Sequence, residues 1–206
     1  MPEWTDQEIV ALVKHKIERE ADALLKVAEQ IDQTSAEAVR LIANCRGRVV
    51  VTGLGKTGHV GKKLAASLAS MGTPAFFVHS CESLHGDMGM ITSEDVVIMI
   101  SNSGKSPEIL NMLPALQIIG PKTISITNNR ESPLAKGTDF AILCDAGEEI
   151  DHNGLAPTTS ALAALAIGDA FATTVCEAKG FSSEDFALRH PGGALGQKLL
   201  KEYKKP

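Results

Sequence analysis

The sequence has no excess of positive charge. Its formal net charge is −5 at pH 7 and its pI is about 5.7. Proteins that bind a nucleic-acid backbone gain affinity by neutralising phosphates with clustered Lys and Arg, so this composition argues against that class. An anionic ligand must therefore be held by local geometry and not by a broadly basic surface.

Paired cysteines, a signal peptide and an uninterrupted apolar run are also missing. The four cysteines are widely spaced and form no C-x-x-C pair, which is typical of reduced thiols in a cytoplasmic protein. The longest apolar stretch, from Leu155 to Cys176, contains Pro157, Asp169 and several Ser and Thr residues. Such residues are unfavourable in a bilayer, so we expect a buried helix there and no membrane span.

Length and periodicity indicate one domain with a helical extension. With 206 residues, 44% of them hydrophobic, the chain can bury one core and is too short for two large domains. Apolar residues recur at helical spacing over 7–31, and a second short helix with Ser35 as its N-cap is predicted over 35–45. We assign 1–45 to this extension, which packs on the domain's own sheet or on a partner subunit, and 46–206 to the domain.

Short β-branched runs alternate with helical patterns from residue 46 onwards. The predicted strands cover 48–52, 75–79, 95–101, 123–127 and 140–144, and the predicted helices cover 58–71, 106–118, 132–136 and 158–179. Apolar strands joined by helices indicate an α/β fold with a doubly wound parallel sheet in a three-layer αβα sandwich. Ligands in such folds bind at the carboxyl ends of the strands. The following loops should therefore share one edge: 53–59, 79–87, 101–108 and 127–130.

A glycine-rich turn follows the first predicted strand. It reads GLGKTGH at 53–59 and contains the pattern G-x-G-x-x-G. An NAD site also needs an acidic residue at the end of the second strand, where this chain has His79. Lys56 suits a single phosphate or a sugar hydroxyl better than a pyrophosphate, and a tight turn without a ligand is the alternative. We expect Gly55 and Thr57 to contribute to a phosphosugar site.

A loop rich in hydroxyl groups follows the third predicted strand. Its polar residues are Ser101, Asn102, Ser103 and Ser106. Ser106 before Pro107 also fits a helix N-cap with proline at N1, but a cap does not explain three polar residues in succession before it. Backbone N–H groups at such a junction favour anions, so the loop is predicted to bind phosphate. The P-loop pattern is absent, which disfavours nucleoside triphosphates.

The polar run at 79–87 contains several residue types that bind zinc. Its spacing fits no closed structural zinc site. Zinc held by His79 and His85 would therefore be adventitious, and we expect no metal to be required. His85 is better explained as a contact to a sugar hydroxyl or as a proton shuttle.

Two later segments supply candidate acid–base groups. Glu149 precedes the long apolar helix and belongs either to a solvated loop, with Thr158 or Thr159 capping the helix, or to a general base that removes a carbon-bound proton. Spacing does not decide between these. The glycine-rich turn at 189–196 is either a C-terminal loop or a site where His190 opens a cyclic sugar by proton transfer.

Together, these segments resemble the sugar isomerase (SIS) domain of arabinose-5-phosphate isomerases. The resemblance rests on GLGKTGHVGKKLAASLASMGTPAFFVH, LHGDMGMI, DVVIMISNSGKSPEI, GLAPTTSALAALAIGDA and GFSSEDFALRHPGGALG, and it covers about 46–200. It implies a five-stranded parallel sheet of flavodoxin-like order. This family interconverts D-ribulose 5-phosphate and D-arabinose 5-phosphate for 3-deoxy-D-manno-octulosonate synthesis in lipopolysaccharide or capsule formation.

The resemblance also implies the active-site residues and the assembly. The positions that match the family's catalytic residues are Lys56, His85, Glu108, Glu149 and His190. The implied reaction moves a proton within one substrate through an enediol, so no cofactor is expected. The family tends to form tetramers whose active sites are built from neighbouring subunits, which implies a homotetramer here.

The sequence departs from the family pattern at three places. Many relatives carry a C-terminal pair of cystathionine-β-synthase-type modules, whereas this sequence ends at Pro206, either as a single-domain form or as part of a longer chain. The resemblance therefore does not extend to regulation through those modules. Lys105 replaces a frequent Glu, and Ile150, Asp151 and His152 replace a frequent Ala-Cys-Pro. These changes concern substrate preference more than catalysis.

Two other functions remain open from the sequence. SIS domains also serve as non-catalytic phosphosugar sensors in regulators, but these generally carry a helix-turn-helix domain, and the segment before residue 46 is too short and acidic for one. An isomerase of another phosphosugar, such as a hexulose 6-phosphate, would share the fold.

Overall fold

The computed structural model describes residues 4–203, which form one five-stranded sheet and ten α-helices. The strands are β1 (Val49–Gly53), β2 (Ala75–His79), β3 (Val96–Ile100), β4 (Lys122–Thr127) and β5 (Phe140–Leu143). The helices are α1 (Asp6–Ala28), α2 (Gln33–Ala43), α3 (Gly55–Ser70), α4 (Ser80–Ser83), α5 (Pro107–Leu110), α6 (Leu113–Ile119), α7 (Pro133–Gly137), α8 (Thr159–Ala178), α9 (Ser183–Arg189) and α10 (Ala194–Tyr203).

All strand pairs are parallel, in the order β2-β1-β3-β4-β5. This confirms the predicted doubly wound sheet of flavodoxin-like order. Gly53 lies opposite His79 and Ile100, and Thr127 lies opposite Leu143, so the strands end level with one another. The strand order reverses between β1 and β3, where such folds bind their ligands.

The sheet is covered on both faces, which confirms the three-layer prediction. Every residue of β1 and β3 is buried. Val51 and Ile98 pack in a core with α3, α8 and the two N-terminal helices, whereas Val50 and Met99 pack in a second core with α5, α6 and α7. Strands buried on both faces cannot alternate polar and apolar residues, and this is why they read as continuous apolar runs.

Within residues 4–203, α8 is the one helix that is long and apolar enough to cross a membrane, judged by length and composition alone. It packs against α3, α1 and α2. Ala163, Ile167 and Phe171 are buried in the first core. The arrangement is that of the buried core helix predicted from the sequence.

The N-terminal helices pack on this chain's own domain. Helices α1 and α2 contact α8, and α2 also contacts β5. Ala38 and Ile42 are fully buried. The first half of α1 remains uncovered, and its exposed apolar residues are Ile9, Val10, Leu12, Val13 and Ile17.

Several predicted helix boundaries were wrong. Helix α2 begins after Asp32, whose side chain accepts a hydrogen bond from the Thr34 N–H at 3.0 Å, and not after Ser35, which is buried inside the helix. Helix α3 begins at Gly55, so the first turn of that helix contains most of the glycine-rich motif. The helix predicted over 106–118 is interrupted between α5 and α6, because Pro114 has no N–H for a continuous ladder.

Several short or C-terminal helices were not predicted. Helix α4 and a 3-10 helix at Asp87–Met90 lie in the segment after β2, which we expected to be a loop. Helices α9 and α10 flank the turn that contains His190. Helix α4, with four residues, and helix α9, with seven, are too short to show a clear apolar periodicity, which is the main signal available in a sequence.

Candidate active site

The turn after β1 is shaped by glycine and by Thr57. Gly55 adopts a positive φ of 57° at the first position of α3, a conformation that disfavours other residues. The Thr57 hydroxyl donates to the Leu54 carbonyl at 2.8 Å and accepts from the Leu54 N–H at 3.3 Å. The turn therefore exposes Lys56 at the N-terminus of α3, where the helix dipole favours an anion.

The loop after β3 is anchored to β4 and gathers two hydroxyl groups. The Asn102 carbonyl accepts from the Asn128 N–H at 2.8 Å and from the Thr127 hydroxyl at 2.9 Å. The hydroxyl oxygens of Ser101 and Ser106 lie 3.2 Å apart. Ser106 is the N-cap of α5, as predicted, but its side chain makes no capping bond. A cap alone therefore does not account for this hydroxyl.

The remaining residues of this loop are also placed by local bonds. The Lys105 N–H donates to the Ser103 hydroxyl at 3.2 Å. Gly104 has a φ of 62°, and a Cβ there would meet the Ser132 side chain. The loop thus requires glycine both for its backbone conformation and for its close approach to the loop after β4.

The segment after β2 brings two predicted residues near the same edge. His79 caps α4, because its Nδ1 accepts from the Cys81 N–H at 3.2 Å. His85 is exposed in the turn after α4. Helix α4 contacts α5, which carries the half-buried Glu108. Among the residues that the structure describes, no three His, Cys, Asp or Glu side chains are grouped to hold a metal ion.

Glu149 is held at the N-terminus of α8. Its Oε2 accepts from the Thr158 N–H at 2.8 Å, the Thr158 hydroxyl at 2.9 Å and the Ser160 N–H at 3.2 Å, and its Oε1 accepts from the Ser160 hydroxyl. Partial burial opposes ionisation, but the hydrogen bonds from Ser160 and Thr158 outweigh it, so the pKa of Glu149 is lowered. The side chain is therefore an ionised carboxylate at neutral pH.

A cleft of about 770 Å³ joins Glu149 to the loop after β3. Asn102 and Glu149 both line it, and α1 contributes His15, Lys16 and Arg19. A smaller gap lined by Thr57, Asn102 and Ser160 lies at the same edge of the sheet. Thr57, Asn102 and Thr127 line this gap and belong to three of the four loops that the sequence placed at the carboxyl edge. Glu149 and the start of α8 join them there.

Helix α1 forms part of this cleft through long-range contacts. The Lys16 Nζ donates to the Ile150 carbonyl at 2.7 Å, across 134 residues of sequence. Arg19 lies 3.8 Å from the Glu148 carboxylate. No sequence pattern indicated these contacts, because a polar residue on an amphipathic helix is normally solvated.

His190 is not brought to this edge within one chain. Helix α8 spans about 30 Å at 1.5 Å per residue, and beyond its far end the Lys179 Nζ bonds to the Thr73 hydroxyl at 3.0 Å. Arg189 lines a hollow with Arg48 and Pro74, which precede β1 and β2. His190 therefore lies near the amino edge of the sheet, stacked on Phe186 at 3.8 Å between ring centroids.

The chain matches a known family over most of its length. Residues 41–174 match the SIS domain family. The chain belongs to the SIS domain family. This SIS domain has the five-stranded parallel sheet that the resemblance implied. The glycine-rich turn follows β1 and the serine loop follows β3, at the switch in strand order.

Similar proteins include two curated isomerases and one solved structure. The chain is 51% identical to arabinose 5-phosphate isomerase KdsD of Pseudomonas aeruginosa over 88% of this chain and 56% of that protein. It is 44% identical to arabinose 5-phosphate isomerase KpsF of Escherichia coli over 95% of this chain and 60% of that protein. The structure of c3406 from E. coli CFT073, in complex with arabinose 5-phosphate, has a TM-score of 0.89 and 41% identity, and the match covers 91% of this chain and 100% of that chain.

This SIS domain spans little more than half the length of the curated relatives that it matches.

Sequence reasoning placed Thr158 near the helix cap but missed Ser160. The run Thr158-Thr159-Ser160 at the start of an apolar helix was the available signal, since hydroxyl side chains at helix N-termini commonly bind nearby polar groups.

Proposed function

We propose that this SIS domain is an aldose–ketose isomerase that interconverts D-ribulose 5-phosphate and D-arabinose 5-phosphate through a cis-enediolate. The observation that carries the proposal is the cleft that Glu149 and Asn102 share, because it places an ionised carboxylate beside a loop suited to phosphate. The names of the similar enzymes support this choice of substrate. A role in supplying lipopolysaccharide or capsule synthesis, which the family resemblance implies, is part of the same proposal.

Each predicted residue takes one role in this proposal. The phosphate is bound by the hydroxyls of Ser101, Ser103 and Ser106 together with backbone N–H groups. Glu149 transfers the proton between C1 and C2, and His190 assists ring opening of cyclic substrate. The other side chains at the edge orient or stabilise: Lys56 and His85 act on developing oxyanion charge, Glu108 orients a partner group, and Gly55, Thr57 and Asn102 shape the pocket.

The reaction needs no cofactor in this proposal. The hydrogen moves as a proton between two carbons of one substrate, so no electron acceptor is required. Cys144 takes no part as a nucleophile, because burial, with a smaller effect of Asp145, raises the pKa of its thiol to about 12.

We also propose that the active protein is a cytoplasmic homotetramer in which a neighbouring subunit supplies His190. The distance between His190 and the cleft within one chain supports a shared site. The uncovered apolar side chains of α1, such as Val10 and Ile17, support association with another copy.

The free cysteines agree with a cytoplasmic location. The division into 1–45 and 46–206 stays a prediction.

The role of Glu149 is tested by Glu149→Gln. The amide oxygen can accept the bonds that Oε2 now accepts, and the amide N–H can donate to the Ser160 hydroxyl, so we expect the fold and the KM to be preserved. Loss of the base should lower kcat by roughly 10²- to 10⁴-fold. Turnover of D-ribulose 5-phosphate is the measurement.

Glu37→Gln is the matched control, because Glu37 is exposed on α2 and does not line the cleft. It should retain wild-type turnover. Equal activity in both variants would remove Glu149 from the base role. Binding of the phosphosugar without turnover by the wild-type protein would favour the sensor.

A further inference from the structure

The two oxygens of Glu149 are in different environments. Within residues 4–203, Oε2 accepts three hydrogen bonds, two from N–H groups and one from the Thr158 hydroxyl, and Oε1 accepts one hydrogen bond, from the Ser160 hydroxyl. Because a carboxylate has about four acceptor sites over its two oxygens, Oε2 is saturated. Oε1 keeps the capacity to accept a proton.

The direction of the Thr158 hydroxyl is also fixed. Its oxygen accepts from the Ile150 N–H at 3.2 Å while its hydrogen points to Oε2. Ser160 is 7% exposed at the second position of α8. The two donors to Glu149 are thus built into the start of a 20-residue core helix, and side chains on such elements hold their positions closely.

We propose that Glu149 exchanges protons through Oε1, and that Ser160 is the positioning residue for this oxygen while Thr158 anchors Oε2. This inference rests on the proposed isomerase function. In the ketose-to-aldose direction the C1–H bond breaks, its electron pair forms the C1=C2 bond, the C2 oxygen takes the negative charge, and the proton goes to Oε1. Oε1 then returns the proton to C2 as the C1 carbonyl forms, and the hydroxyl proton moves from O1 to O2.

Several other ionisable residues line the same cleft as Glu149. Those of α1 are His15, Lys16 and Arg19, and those of the loop that carries Glu149 are Glu148, Asp151 and His152. A change in Ser160 alters none of them. A shift in the ionisation of Glu149 in a Ser160 variant therefore reports on the hydroxyl itself.

The first test compares Ser160→Ala with Ser160→Thr. Removing the hydroxyl should lower kcat roughly 10-fold, since small misplacements of a reacting group are costly, with little change in KM. It should also move the acid limb of the kcat profile to higher pH, because a donor to the ionised form is lost. Ser160→Thr should restore both properties. Ser70→Ala is the control, because the Ser70 hydroxyl donates to the Ser67 carbonyl at the C-terminal end of α3, away from the candidate site.

A second readout does not need activity. Carbon-13 NMR of the glutamate carboxyl carbons follows the ionisation of Glu149, and Glu149→Gln assigns the resonance. If the titration midpoint of the Glu149 carboxyl is at a higher pH in Ser160→Ala than in the wild type, the proposal is supported. If both this midpoint and kcat are unchanged, the proposal is overturned. If the wild-type protein is inactive but the titration midpoint of Glu149 is still higher in Ser160→Ala, the proposed isomerase function is wrong. The hydrogen bond between Ser160 and Glu149 is supported in that case.

A third variant guards against loss of folding in Ser160→Ala. Ser160→Cys fills the same space but offers only a weak S–H donor. It should reproduce the lower kcat and the shifted acid limb in a folded protein. Wild-type values for Ser160→Cys would contradict the role of the hydroxyl.

Discussion

The hydroxyl oxygens of Ser101 and Ser106 lie 3.2 Å apart across the loop after β3, and the Ser106 side chain does not cap the helix that it precedes. Neither helix capping nor strand pairing accounts for this pair of hydroxyls. It offers two donors that can turn together towards a phosphate.

Ser106→Ala should therefore weaken binding of phosphorylated substrate. A hydrogen bond to a charged group contributes about 1.5–3 kcal/mol, so KM should rise roughly 10- to 100-fold while kcat changes much less. Steady-state kinetics, with inorganic phosphate as a competitive inhibitor, measures both. Unchanged KM and unchanged inhibition by phosphate would exclude Ser106 from the phosphate site.

Gly104→Ala should disturb the same loop. The φ of 62° is unfavourable for alanine, and the new Cβ would overlap the Ser132 hydroxyl oxygen. We expect a lower melting temperature and a raised KM for phosphosugar. Gly180→Ala is the matched control, because Gly180 has the same φ of 62° and, apart from its sequence neighbours, no described residue comes within 4 Å of the Cβ position. Equal effects of both variants on stability would mean that the contact with Ser132 is unimportant.

Asp139 should stabilise the fold in a pH-dependent way. Burial opposes its ionisation, but bonds from Lys122 and Thr123 outweigh it and lower the pKa of Asp139 below its usual 3.8. A lowered pKa means that the stabilisation is present above the unfolded value of 3.8 and is lost as the pH falls through the lowered folded value.

Asp139→Asn should accordingly destabilise the protein by about 1–3 kcal/mol at pH 7. The difference from wild type should shrink as the pH falls below 3.8. Urea unfolding at several pH values measures this difference. Asp22→Asn, on the exposed side of α1, should show little effect, and a difference that persists at low pH would contradict the electrostatic origin.

His190 should act across a subunit boundary. Glu149→Gln and His190→Ala homo-oligomers should each be nearly inactive under the proposed function. Dissociating, mixing and reassembling the two variants should restore part of the activity, because some sites would combine an intact Glu149 with a neighbour's intact His190. No recovery in verified mixed oligomers would place His190 outside a shared site.

The sheet was the most predictable part of the molecule. Runs such as Val49–Gly53 and Val96–Ile100 are apolar on both faces, and every predicted strand end lies within one residue of the observed one. Burial on both faces leaves a strong and local sequence signal. Helix α9 was missed because it has only seven residues, and a helix of that length shows too little apolar periodicity to stand out in a sequence.

The site was predictable as a set of loops but not as a geometry. The carboxyl-edge rule placed Lys56 and Ser101 together, since both follow neighbouring strands. It gave no indication that Lys16 reaches the Ile150 carbonyl or that Ser160 binds Glu149, because these contacts depend on how two helices are oriented against the sheet. The resemblance identified His190 as an active-site residue, but within one chain His190 lies near the amino edge of the sheet, away from the cleft.

Proton NMR of the wild-type protein with D-ribulose 5-phosphate in D₂O tests the central claim most directly. We expect D-arabinose 5-phosphate to form with deuterium at C2, because the proton held by Glu149 exchanges with solvent before it returns to carbon. Failure to form the aldose and to exchange deuterium, in a protein whose melting temperature still rises with phosphosugar, would contradict the isomerase and leave a binding protein.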